Sequence, residues 1–235
     1  MSNKLDLKQE IKAEKGKFKS LPFGEKLTYI KDYYSVHIIA VVIIIIAAYA
    51  IFITYRDKNF NTVLYAVLIN NDKSLWSEDV DSYEYHLSKP FADYLGIDND
   101  KDRIVIDNNY ILDTDRDEEM SVYSAESLVA MFYGKHIDIH IGNELSVQYF
   151  CQDDDTFFYP LNTIFDEEFL EKYKDRIYYH TYADGTKVPV AFDITDCSFT
   201  KDASLTVNPV LIAVFCNTER LDTATEYIRF ILDQE

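Results

Sequence analysis

The chain has 235 residues, a formal net charge of −18 at pH 7, 15% aromatic residues and only six glycines. So many aromatic residues exclude an intrinsically disordered tail, and the acidity argues against nucleic acid as a partner because it repels a phosphate backbone. The charge is divided unevenly: residues 1–35 carry eight lysines against five acids, whereas residues 56–235 carry fifteen Lys and Arg against thirty-six acids.

Residues 1–35 read as a cytoplasmic tail that ends in an interfacial helix. Lysine and glutamate alternate up to Lys19, Pro22 marks a break, and Leu27, Ile30, Tyr33 and Tyr34 then recur with helical spacing. Residues 36–55 contain no Asp, Glu, Lys, Arg, Gly or Pro, and eleven of them are isoleucine or valine. Those residue types favour strands in water, but a lone segment in lipid can satisfy its backbone only as a helix. Twenty helical residues cover ~30 Å, the thickness of a bilayer's hydrocarbon core. This stretch is therefore predicted to be a transmembrane helix, with the lipid bilayer as its partner. The lysines before it place residues 1–35 in the cytoplasm and the acidic part outside the cell membrane. Ala48-Tyr49-Ala50 has the form of a signal-peptidase site, but it lies inside the apolar run, with Ile51, Phe52 and Ile53 still to come, which favours an uncleaved anchor.

Beyond a short stalk, residues 56–61, the remaining residues 62–235 read as one α/β domain. Thr62–Ile69 is a strand apolar on both faces, hence central. A helix follows over Val80–Gly96, with Gly96 as its stop. Then come a strand at Arg103–Asp107, a helix at Glu118–Tyr133 ended by Gly134, a strand at His136–Ile141 and a short helix at Glu144–Phe150. This alternation predicts a mainly parallel sheet with right-handed crossovers. The rest is more irregular. Asp166–Lys174 reads as a helix, Arg176–Tyr182 and Lys187–Asp193 as a hairpin around Asp184-Gly185, and Pro209–Phe215 as a buried strand. A final helix at Glu219–Leu232 has Asn217 and Thr218 as N-cap candidates.

Motifs for catalysis and metal binding are weak. Asp98–Asp102 and Asp113–Asp117 imitate the start of a calcium loop, but Arg103 and Glu118 stand where glycine is needed, and Asn109 and Ser124 where the closing acid is needed. His136, Asp138 and His140 share one face of a strand with metal-compatible spacing, yet further ligands are missing. The pattern is explained by Ile137, Ile139 and Ile141 packing inward and the polar three facing out. There is no nucleophile elbow, Cys-His motif or glycine-rich phosphate loop. The chain is expected not to be an enzyme and to need no cofactor or metal. Cys151, Cys197 and Cys216 form no disulfide framework, and the sequence leaves open whether any two of them pair.

Residues 23–37 followed by the isoleucine run resemble a group of single-pass membrane proteins of Gram-positive bacteria whose outer part resembles extracellular solute-binding proteins. Residues 125–142, Tyr159-Pro160-Leu161, residues 210–218 and residues 224–231 carry the second likeness. The resemblance implies a type 2 periplasmic-binding fold. Members have two lobes, and the 180 residues after Tyr55 suffice for one. The implied function is a membrane-tethered extracytoplasmic binding module for a small polar ligand. The alternative is a cell-envelope interaction or structural protein that keeps the fold without a pocket. Ligands of open α/β sheets collect beyond the carboxyl ends of the strands. The candidate ligand-binding residues there are Asn70 and Asn71 after the first strand, Asn143 after the third, and Asp193 and Thr195 after Lys187–Asp193.

Overall fold

The computed structural model describes residues 16, 19, 22–58, 60–72, 83–97, 101–151 and 156–234. The chain divides into two compact units, Met1–Asn59 and Phe60–Glu235.

In the first unit, α1 (Phe23–Lys58) is one helix of 36 residues. Its stretch Tyr34–Thr54 is long and apolar enough to cross a membrane, and none of it is buried against protein. The expected interfacial helix and the span form one continuous helix, which runs on through Lys58 into the expected stalk. No glycine or proline interrupts residues 25–58, so nothing in the backbone chemistry stops the hydrogen-bond ladder.

The second unit is α/β. Its strands are β1 (Asn61–Ile69), β2 (Asp102–Tyr110), β3 (Ile139–Gly142), β4 (Ile177–Thr181), β5 (Lys187–Asp193) and β6 (Leu211–Val214). They form one six-stranded sheet in the order β2-β1-β3-β6-β5-β4. Its helices are α2 (Tyr83–Leu95), α3 (Glu118–Tyr133), α4 (Glu144–Tyr149), α5 (Leu161–Ile164), α6 (Glu167–Lys172), α7 (Ser198–Asp202) and α8 (Leu221–Asp233). Residues 80–82 of the expected second helix lie outside the described residues.

The sheet is mixed, which corrects the expectation of a mainly parallel one. β1 pairs in parallel with β2 and β3, but β6 is antiparallel to both β3 and β5, and β4 is antiparallel to β5. The reason lies in the connection from β5 to β6. It leaves and re-enters the sheet at one edge, closed by Ile194 N–H donating to Val210 O at 2.9 Å, so β6 returns beside β5. The short α7 within that connection carries no amphipathic signature in the sequence.

Alternation along β1 serves both faces of the sheet. Leu64, Ala66 and Leu68 join one cluster with Ile104, Ile106, Ile139, Ile141, Phe192, Ile212 and Val214, covered by Leu87 and Phe91 of α2 and Tyr227, Ile228 and Ile231 of α8. Val67 and Ile69 join the other with Tyr110, Leu211, Ala213 and Phe215, covered by Leu128 and Phe132 of α3 and by Val147, Phe150 and Phe158. A central strand between two such layers has no solvent face. This corrects the expected outward polar face at β3: Asp138 and His140 are both 0% exposed. The strand is also shorter than expected, starting at Ile139.

Local chemistry sets the element ends. Gly96 takes φ +65 after α2, a conformation that suits a residue without Cβ. Asp117 caps α3, its carboxylate accepting from Met120 N–H at 2.9 Å, and Asp166 caps α6 in the same way through Phe169 N–H at 2.8 Å. Thus the second calcium-like loop is a helix entry; residues 98–100 of the first lie outside the described residues. At α8 the expected caps do other work. The helix begins at Leu221, Thr218 Oγ1 accepts from Arg220 N–H at 2.9 Å, and Asn217 donates to Phe132 O.

Ile228 of α8 is 0% exposed within the larger cluster. Truncation to Ala is expected to cost ~2–5 kcal/mol, read as a lowered urea midpoint with unchanged slope.

Candidate binding site at the carboxyl edge of the sheet

β1, β2, β3 and β5 run in one direction, so all five sequence-derived candidates lie along a single edge of the sheet. Two of them touch. Asn70, in the left-handed region at φ 63, donates from Nδ2 to Asn143 Oδ1 at 2.9 Å and accepts on Oδ1 from Leu112 N–H at 2.6 Å. Asn143 also caps α4, accepting from Ser146 N–H at 3.1 Å. Farther along the edge, Asp193 Oδ1 accepts from Thr195 N–H at 2.9 Å, and Thr195 Oγ1 accepts from Val210 N–H at 2.8 Å. These four side chains are engaged in joining strand ends to their loops.

Asn71 is different. Its Oδ1 accepts from Thr206 N–H at 2.8 Å and Thr206 Oγ1 at 2.9 Å, which fixes the amide orientation and leaves Nδ2 buried without a partner. Close by is Asn108, a residue that sequence reasoning passed over. It is 1% exposed, and neither its Nδ2 nor its Oδ1 has a partner. Each orphaned group costs ~1–3 kcal/mol. Asn108 sits at a register irregularity, where Val67 pairs with Asp107 but Ile69 with Tyr110, and it lies on the face of β2 that carries Ile104 and Ile106. Two adjacent asparagines inside a strand, Asn108 and Asn109, were the signal available in the sequence.

Both asparagines line a cavity of about 270 Å³, whose wall also holds Asp72, Tyr110, Ile111, Arg116 and Met120. Arg116 donates to Asn70 O at 3.0 Å and pairs with Asp72 at 3.6 Å, so its charge is already compensated. On the opposite face Asp107 accepts from the hydroxyls of Tyr65 at 2.9 Å and Tyr110 at 3.0 Å. Burial and then the Asp107 charge push the Tyr110 hydroxyl up to about 12, and the same causes raise Tyr65. Neither phenol is a proton donor or acceptor near neutral pH.

His140 lies under this edge. Ser146 Oγ donates to Asn143 O at 2.7 Å, so the ring donates through Nε2 to Ser146 Oγ at 2.9 Å, and Nδ1 is left bare. Gly142 is required here, because an added Cβ would collide with Ser146 Oγ. Phe150, Phe158 and Phe215 pack around the imidazole, and burial depresses its pKa to about 3. Asp138 is engaged elsewhere, and among the described residues no three His, Cys, Asp or Glu side chains converge as metal ligands would. No disulfide joins Cys151, Cys197 and Cys216 among the described residues, and burial pushes the Cys151 thiol up to about 11. Cys216 is half-buried.

Comparison with protein-family models, with curated proteins and with solved structures finds no match to this chain.

Two outcomes follow from this geometry. Asn143→Ala removes a helix cap and the acceptor of Asn70 together, and is expected to cost ~1–2 kcal/mol in thermal or urea unfolding. His140 has a folded pKa below its unfolded value near 6.5, so between those values the unfolded chain binds the extra proton. The histidine's contribution is fully present above about pH 6.5 and is lost as pH falls toward 3. Between pH 7 and pH 5 it should remove ~2 kcal/mol. A His140→Leu variant, compared by urea titration at both pH values, should lack that part of the loss.

Proposed function

We propose that this chain is a membrane-tethered, extracytoplasmic binding module, resembling one lobe of a solute-binding protein, that takes a small polar ligand at the carboxyl edge of its sheet. The observation that carries this reading is the cavity beside Asn71 and Asn108, where buried amide groups lack partners. Among the described residues five buried side-chain atoms lack partners, and three of them belong to these two asparagines; such a cluster of orphans suits a place where another molecule supplies the missing hydrogen bonds. The apolar stretch of α1 supports the tether, and the lysine excess before it supports a cytoplasmic N-terminal segment.

A second reading has its own support. An open groove of about 780 Å³ runs between α6 and the β4–β5 hairpin, rimmed by Glu167, Glu168 and Glu171 and floored in part by Leu170, Ile177, Tyr179 and Pro189. β4 is an edge strand of the sheet. An acidic groove beside an edge strand suits a cell-envelope protein as partner.

Both readings require the second unit outside the cell, and protease added to protoplasts should digest it while sparing residues 1–35. The two part on thermal shift. A panel of small polar metabolites added to the full chain in detergent should raise the melting temperature for at least one of them, and that rise should vanish in Asn108→Leu. Protection of the acidic unit from protease sinks both readings; a panel without effect sinks the first.

A further inference from the structure

We infer that the ligand is held through an uncharged amide-type group, a carboxamide or a peptide bond, paired in plane with Asn108; this rests on the reading that the carboxyl-edge cavity is the binding site. The argument is one of complementarity. Thr206 occupies Asn71 Oδ1 from two directions, so Asn71 can only donate, through Nδ2. Asn108 has both amide atoms unpaired, so it presents a donor and an acceptor side by side. The missing partner must therefore offer an acceptor to Asn71, and a donor next to an acceptor to Asn108. An amide does this with two in-plane hydrogen bonds.

Charge narrows the class further. A carboxylate offers no donor to Asn108 Oδ1, and it would meet Asp72. An ammonium group offers no acceptor, and it would meet Arg116. Those two residues are paired at 3.6 Å, and Arg116 also donates to Asn70 O, so the wall has no uncompensated charge to neutralise an ion. Asn109, whose amide donates to Asp107, completes the lining with Tyr110, Ile111 and Met120, and the last three suit the flat, apolar flanks of an amide. The three orphaned atoms are closed off from solvent. A ligand reaches them by displacing part of the wall, for which the unbranched side chain of Met120, 37% exposed, is placed.

The test uses the full chain in detergent micelles with ¹⁵N-labelled asparagine and three probes of matched size: propionamide, propionate and 1,2-propanediol. Titration with propionamide should shift the side-chain NH₂ resonances of Asn71 and Asn108, and the other two probes should bind at least tenfold more weakly. Asn108→Leu, which replaces the orphaned amide by an apolar group of similar size, should abolish the Asn71 shift. Asn108→Asp, which keeps the shape but removes the donor, should weaken propionamide at least tenfold. Equal or tighter binding of the diol or propionate at these two residues overturns the amide assignment and leaves a polar-ligand site standing. Propionamide binding that leaves both resonances unmoved overturns the assignment as well. If no probe binds and both amides exchange only with water, the amide assignment and the cavity as a site fall together.

Discussion

The second unit depends on one buried carboxylate. Asp138 is 0% exposed, and its Oδ2 accepts from Tyr65 N–H at 2.7 Å and from Arg220 Nε at 2.7 Å, while Oδ1 accepts from the Thr218 hydroxyl. Its own backbone donates to Tyr65 O and accepts from Phe215 N–H, each at 2.9 Å. One residue thereby ties β1, the entry to β3, the exit of β6 and the approach to α8. A carboxylate held in apolar surroundings without such partners would cost many kcal/mol, so the four attachments form together or not at all. The Arg220 side chain keeps about a quarter of its surface in water, which lowers the cost of burying the pair.

That clamp lies at the amino end of β3, and the cavity lies at the other end of the sheet. The amino edge carries the charge-assisted hydrogen bonds of Asp138. The carboxyl edge combines neutral bonds, Asn70 Nδ2 to Asn143 Oδ1 and Val210 N–H to Thr195 Oγ1, with charged ones at Asp193 and Arg116, and it contains the orphaned amides of Asn71 and Asn108. Unpaired polar groups persist in a fold only when the rest of the structure over-determines their position. Two apolar clusters, one on each face, supply that excess here.

His140 shows how far burial overrides the chemistry a residue type suggests. In the sequence, His136, Asp138 and His140 have the spacing of metal ligands on one strand face. In the fold, Asp138 is committed to Arg220, His140 is enclosed by Phe150, Phe158 and Phe215, and His136 contributes its carbonyl to Arg220. The imidazole is kept neutral by its surroundings and acts as a hydrogen-bonding spacer under α4.

The sequence by itself determined the elements whose signals are local. The apolar helix of Tyr34–Thr54 follows from composition alone, and β1, α3, the β4–β5 hairpin and α8 follow from periodicity and from residues such as Gly185 in the hairpin turn. A shared carboxyl edge for Asn70, Asn71 and Asn143 was also legible, because strand-helix alternation joins β1 to β3 in parallel; Asp193 and Thr195 share it because β5 lies, across antiparallel β6, in the direction of β3. Only the tertiary structure decided that β6 returns antiparallel between β3 and β5, since that depends on where a connection re-enters the sheet, and no residue pattern encodes it. It also decided that four of those five side chains join loops to strands, and that Asn108, hidden within a strand, stands with Asn71 at the cavity. A hydrogen bond between residues 73 or 135 positions apart, like those of Asn70 and Asn71, leaves no periodic trace along the chain. Whether a polar side chain is paired or orphaned is a property of the packed three-dimensional neighbourhood.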